Sequence, residues 1–143
     1  MEIKIRVWDK QIKAMFYMDK QGSFSLPGTI YGITKKQILI NSGLNLTGQY
    51  QIRAKSVDSC IQMLSTTLKD KDEIEIYESD YIIGCGKGFS TTIKKEVFFT
   101  PNGAVVEIAD DWIQLTKFKV IEVVGNKYET LYETIKENKE KIH

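Results

Sequence analysis

At 143 residues, with 42% hydrophobic and 27% charged side chains, the chain has the length of one well-packed domain and would starve a second core of apolar surface. Twenty Lys and Arg against 19 Asp and Glu leave a formal net charge of +1, which removes the bulk attraction on which a dedicated nucleic-acid or anionic-membrane binder relies. Two prolines, ten glycines and 10% aromatics exclude collagen-like and low-complexity chains, leaving a folded soluble domain as the expected class.

Met1 to Trp8 lacks the basic cap and unbroken apolar stretch of a secretory signal, so a cytoplasmic location is expected. No run approaches the roughly 18 apolar residues of a membrane helix. Ile3, Ile5 and Val7 alternate with Lys4, Arg6 and Trp8, the period-two pattern of a half-buried strand. Asp9 to Lys13 is turn-like and Ala14 to Met18 is a second apolar run, so the first 18 residues read as a β-hairpin. Asp19 to Gly22 and Leu26 to Gly28 are turn sequences, and short strands are expected over Gln37 to Ile40 and Gln49 to Ala54. Between Val57 and Leu68, Ile61, Leu64 and Leu68 suit a helix while Ser65-Thr66-Thr67 suits a strand; the β-branched content favours the strand.

Asp70 to Glu73 is a charged turn, Ile74 and Ile76 alternate with Glu75 and Tyr77, and Tyr81 to Ile83 is apolar until Gly84, Gly86 and Gly88 interrupt it. From Ile93 a strand is predicted through Val97, Phe98 and Phe99, with a turn at Pro101-Asn102-Gly103 and a return over Ala104 to Ile108. Asn-Gly between apolar runs is a strong hairpin signal, because both residues tolerate positive φ. Asp110-Asp111 marks a further turn, and Phe118 to Val124 a last strand ending at Gly125. Tyr128, Leu131, Ile135 and Ile142 then fall at helical spacings among Glu and Lys, predicting an amphipathic helix over 128–143. Such a helix is marginal alone, so its apolar stripe must dock on the β body or on a partner chain. No repeat or linker divides the chain, which predicts a single domain over 1–143.

Chemistry is sparse. Cys60 and Cys85 are too few for a disulfide framework, and no Cys/His cluster offers a zinc ligand set. The loop Gly84-Cys85-Gly86-Lys87-Gly88 fails as a phosphate loop, because Tyr81 stands at the first glycine of GxxxxGK[ST] and Gly88 at its hydroxyl residue; a hairpin or bulge loop is the better reading. The acidic run from Asp70 to Asp80 would need glycine at Glu75, and flanking helices, to be an EF-hand. Asp110 and Asp111 are strand neighbours facing opposite ways, unlike a glycosidase pair. His143, the only histidine, is the last residue, which disfavours nucleophile systems built on a histidine base. Most of Trp8, Phe16, Tyr17, Tyr77, Tyr81, Phe89, Phe98, Phe99, Trp112 and Phe118 are needed in the core; those left outside would stack bases or grip proline-rich peptides. The basic clusters Lys94-Lys95 and Lys117/Lys119, with Leu131 and Ile135 of the helical stripe, form the candidate interaction surface.

Ile5-Arg6-Val7-Trp8-Asp9 with the later Met15 is similar to F/Y-R-x-W-D followed by a Met. Thr66 to Asp80 is similar to T-G-L-K-D-K-N-G-K-E-I-Y-E-G-D, and Glu122 to Glu129 to E-V-I-G-N-I-Y-E. In this order and spacing the three stretches resemble the YopX family of phage and prophage proteins. Thr67, Glu73 and Ser79 replace glycines of the family pattern, and Thr130-Leu131-Tyr132 stands where an Asn-Pro usually follows. The resemblance implies a mainly β protein: an N-terminal β region over 1–60, an SH3-like, partly open barrel over 61–127 and a helix over 128–143. It implies a phage or prophage source and carries no established activity.

The signature itself is made of core and turn types. Leu68, Ile74, Ile76, Tyr77 and Ile82 suit a core, Asp70 to Glu73 a turn, and Glu78 and Asp80 suit bonds to nearby backbone N–H groups at a strand entrance. It contains no acid, base or ligand set. The expected function is therefore a non-enzymatic accessory protein of the host cytoplasm that binds a protein partner or itself, with nucleic-acid binding as the alternative and no membrane, metal or cofactor.

Overall fold

The computed structural model describes residues 4–18, 29–44 and 46–129, which form thirteen strands and two 3-10 turns. The chain is mainly β and condenses into two compact units, Met1–Met63 and Leu64–His143.

In the first unit, β1 (Ile5–Asp9) and β2 (Ala14–Met18) form the expected hairpin, with Arg6 opposite Tyr17 and Asp9 opposite Ala14. Asp9 closes its turn: Oδ1 accepts the N–H of Gln11 at 2.9 Å, and Oδ2 lies 3.3 Å from Lys55 Nζ. β3 (Thr29–Ile33) joins β2 in parallel, and β4 (Gln37–Leu44) and β5 (Tyr50–Ser56) extend the sheet in the order β5-β4-β3-β2-β1. Ile5 and Val7 bury against Ile30, Ile38, Ile40 and Cys60. Arg6 and Trp8, on the other face of β1, are buried as well, so this strand is covered on both sides. The turns expected at Asp19–Gly22 and Leu26–Gly28 lie outside the described residues.

The ambiguous stretch is a single 3-10 turn, Val57–Ser59, followed by β6 (Cys60–Lys69), which runs through the boundary between the units. In the second unit β6 pairs with β7 (Glu75–Tyr77). β8 (Asp80–Gly86) pairs with β9 (Phe89–Glu96), confirming a hairpin at the glycine-rich loop. β10 (Phe98–Thr100), β11 (Gly103–Ile108) and β12 (Asp111–Gln114) follow, then a 3-10 turn at Leu115–Lys117 and β13 (Phe118–Asn126). Two three-stranded sheets, β13-β8-β9 and β10-β11-β12, curl around Ile76, Ile82, Val97, Val106, Leu115 and Ile121 as a partial barrel.

The strand predicted through Val97 is two strands. Val97 is fully buried, donates its N–H to Asp80 O and accepts from Ser79 N, so the chain leaves one sheet and enters the other at this residue. Lys127 to Glu129 are helical; the rest of the predicted C-terminal helix, with Leu131 and Ile135, lies outside the described residues.

Candidate interaction surface

Among the polar residues of the signature stretches, Asp70, Glu78, Asp80 and Asn126 bond to the protein's own backbone. Buried Asp70 accepts from Asp72 N at 2.8 Å and Ile74 N at 2.9 Å through Oδ1, and from Val123 N at 3.0 Å through Oδ2, tying the β6–β7 turn to β13. Burial by itself would raise its pKa; the three N–H donors and the Lys71 ammonium outweigh that effect and hold the carboxyl below the ordinary aspartate value. Asp80 Oδ2 accepts from Tyr77 N at 2.8 Å, the strand-entrance role expected of it, whereas Glu78 Oε1 reaches across to Leu64 N, within β6, at 3.4 Å. Asn126 Oδ1 accepts from Tyr128 N and Glu129 N while its Nδ2 donates to Glu129 Oε1, an N-cap with a return bond. The stretch Glu122 to Glu129 thus ends a strand and starts a helical turn. These side chains build turns and caps.

Glycines in the 84–88 loop have an equally structural role. A Cβ at Gly84 would stand 2.1 Å from Val120 O, and one at Gly86 2.5 Å from Lys117 O, because β13 bulges onto β8 between Phe118 and Val120. Glycine lets the two backbones approach.

An unexplained surface lies elsewhere, on β10-β11-β12. Cross-strand pairing sets Phe98 opposite Val105 and Glu107 opposite Trp112, so these four side chains share the outer face, while Ala104, Val106, Ile108 and Ile113 face the core. Val105 is buried on that outer face, whereas Phe98 is 40% and Trp112 56% exposed. Their rings meet edge to face, with centroids 5.9 Å apart and planes at 86°. The register depends on the turn Ala109-Asp110, where both residues have positive φ (51° and 69°), the requirement of a type I′ turn. Beside the aromatics is a concavity of about 310 Å³ lined by Lys95, Glu96, Phe98, Glu107, Ala109 and Asp110. Sequence patterning does not single out this face, because β12 is only four residues long and its alternation is brief.

The predicted lysines fall in separate places. Lys94 is exposed, its Nζ 4.6 Å from the Tyr81 ring centroid, and Lys95 lines the concavity just described. Lys117 and Lys119 are exposed at the opposite edge of sheet β13-β8-β9, near the Gly86 end of β8, whereas Lys95 lies opposite Ile82. The two clusters therefore do not merge. Lys119 instead joins Lys69 and Lys71 around a second concavity of about 430 Å³, floored by Leu68, Leu115, Phe118 and Ile121. Lys69 and Lys71 are partly neutralised by Glu73 at 3.8 Å and Glu122 at 3.9 Å.

Among the described residues, no group of three or more His, Cys, Asp and Glu is arranged to hold a metal, and no helix is long and apolar enough to cross a membrane.

The fold is similar to that of the crystal structure of protein EF1440 from Enterococcus faecalis, with a TM-score of 0.54 and 21% identity over 92% of this chain and 96% of that one. No curated protein matches the chain. The sequence profile of the family described as YopX protein matches residues 4–131, a span that contains the Arg-x-Trp-Asp opening, the Asp70–Asp80 signature and the Asn126 cap, and the chain accordingly belongs to the YopX family.

Proposed function

We propose that this protein is a non-enzymatic accessory protein of phage or prophage origin, acting in the host cytoplasm by binding a protein partner or a second copy of itself. The observation that carries the reading is the exposed Phe98–Trp112 pair on the outer face of β10-β11-β12. Large aromatics held in a fixed mutual geometry at a surface are the side chains that dominate protein interfaces. In the same reading the second unit is an SH3-like module, supported by the 3-10 turn before its last strand and by the pairing of β13 with β8. Leu131 and Ile135 of the C-terminal stripe supply an additional contact.

The test compares the wild-type chain with a Phe98→Ala/Trp112→Ala variant in sedimentation and in affinity capture from host cells, with thermal unfolding as the control for folding. Loss of one defined partner, or of self-association, in a variant that still melts cooperatively is the expected result. Capture that is the same for both chains would contradict it.

Lys69, Lys71 and Lys119 around the larger concavity favour a second reading, contact with nucleic-acid phosphates. It predicts a gel shift whose affinity falls steeply with salt and weakens on Lys119→Ala; no shift at low salt would dismiss it.

A further inference from the structure

We infer that the partner presents an arginine, its guanidinium stacked on the Phe98–Trp112 face and bonded to Glu107. The inference rests on the interaction reading above and assigns the chemistry of the segment bound there.

Charge beside the aromatics points this way. The concavity next to Phe98 is lined by Glu96, Glu107 and Asp110 against a single ammonium, Lys95, a net charge of −2. Among the described residues none of these three carboxylates takes part in an ion pair, in contrast to Asp9, Glu73 and Glu122. Glu107 is exposed and is the cross-strand partner of Trp112, so carboxylate and indole stand side by side on one face. An incoming cation therefore meets a ring face and uncompensated negative charge together. Arginine fits this pair better than lysine: its planar guanidinium stacks on an aromatic ring while its edge donates two parallel hydrogen bonds to a carboxylate.

The same charges disfavour other occupants. A phosphate backbone would be repelled by the net negative lining. A two-fold contact between copies would bring Glu107 and Asp110 of one chain against the same carboxylates of the other, since a two-fold interface apposes a patch with itself.

The experiment selects random displayed peptides on the full-length chain and measures binding of the enriched sequence by fluorescence anisotropy. Enrichment of an arginine flanked by apolar residues is expected, with affinity falling about tenfold or more on Trp112→Ala, on Glu107→Gln and on replacement of the peptide arginine by neutral citrulline. Lys87→Ala, at the exposed turn between β8 and β9, should leave that affinity unchanged. Peptides without a basic residue that still require Trp112 would overturn the arginine assignment while leaving the interaction face standing. Selection of no peptide, binding that ignores Trp112, a Trp112-dependent dimer in sedimentation, or a Trp112-dependent complex with a single-stranded oligonucleotide would overturn the proposal.

Discussion

Asp70 ties two segments far apart in sequence through one side chain, its carboxylate accepting three backbone N–H groups. In Asp70→Asn one oxygen becomes an amide that confronts a donor, most directly at Val123. The expected loss at pH 7 is about 2 kcal/mol in urea unfolding. Because the native pKa lies below the unfolded one, the carboxylate's contribution is complete above the unfolded value, about pH 4, and disappears as pH falls through the native value. The gap between wild type and variant should therefore be constant near neutrality and narrow only below about pH 4. Backbone conformation marks three further residues. Thr67, Glu73 and Ser79, which replace glycines of the family pattern, have φ of 63°, 66° and 71°, the left-handed region that penalises any Cβ. Glu73→Gly gives up only an exposed ion pair and should raise stability by about 0.5–1 kcal/mol. A loss of stability in that variant would contradict the assigned turn.

Among the elements, the β8–β13 pair depends on close backbone approach at the bulge. Gly84→Ala forces a methyl against Val120 O and should cost about 3 kcal/mol or abolish cooperative unfolding, measured by thermal melts. Asn126→Ala frees two N–H groups of the terminal helical turn and should cost about 1 kcal/mol by the same measurement. β1, β11 and β13 were legible as short runs rich in β-branched and other apolar residues bounded by turn residues, although β1 is buried on both faces and Val105 and Val106 of β11 are both buried. β3 and β12 were not: β3 carries Gly32 within five residues and pairs in parallel, and β12 offers four residues of which two are exposed. The break at Val97 was invisible for another reason, since an apolar residue that changes sheets looks like one that continues a strand.

Across the chain, each compact unit has its own buried cluster, and the signature residues define turns and caps within them. The core and turn roles of Ile76, Ile82, Asp70 and Asp80 could be read in advance because they are local. The candidate surface could not, because Phe98, Glu107 and Trp112 meet only through strand register, and because strand order sends Lys95 and Lys117 to opposite edges of one sheet. The aromatic face and the lysine-rimmed concavity carry the two proposed readings, and photo-crosslinking in cells that express the protein separates them. With p-benzoylphenylalanine placed singly at Trp112, at Val120 beside the lysines and at exposed Ile93, a discrete crosslinked species is expected from position 112 alone. Crosslinking from position 120 and not from 112, or equal crosslinking from all three positions, would contradict the assignment of the Phe98–Trp112 face as the binding surface.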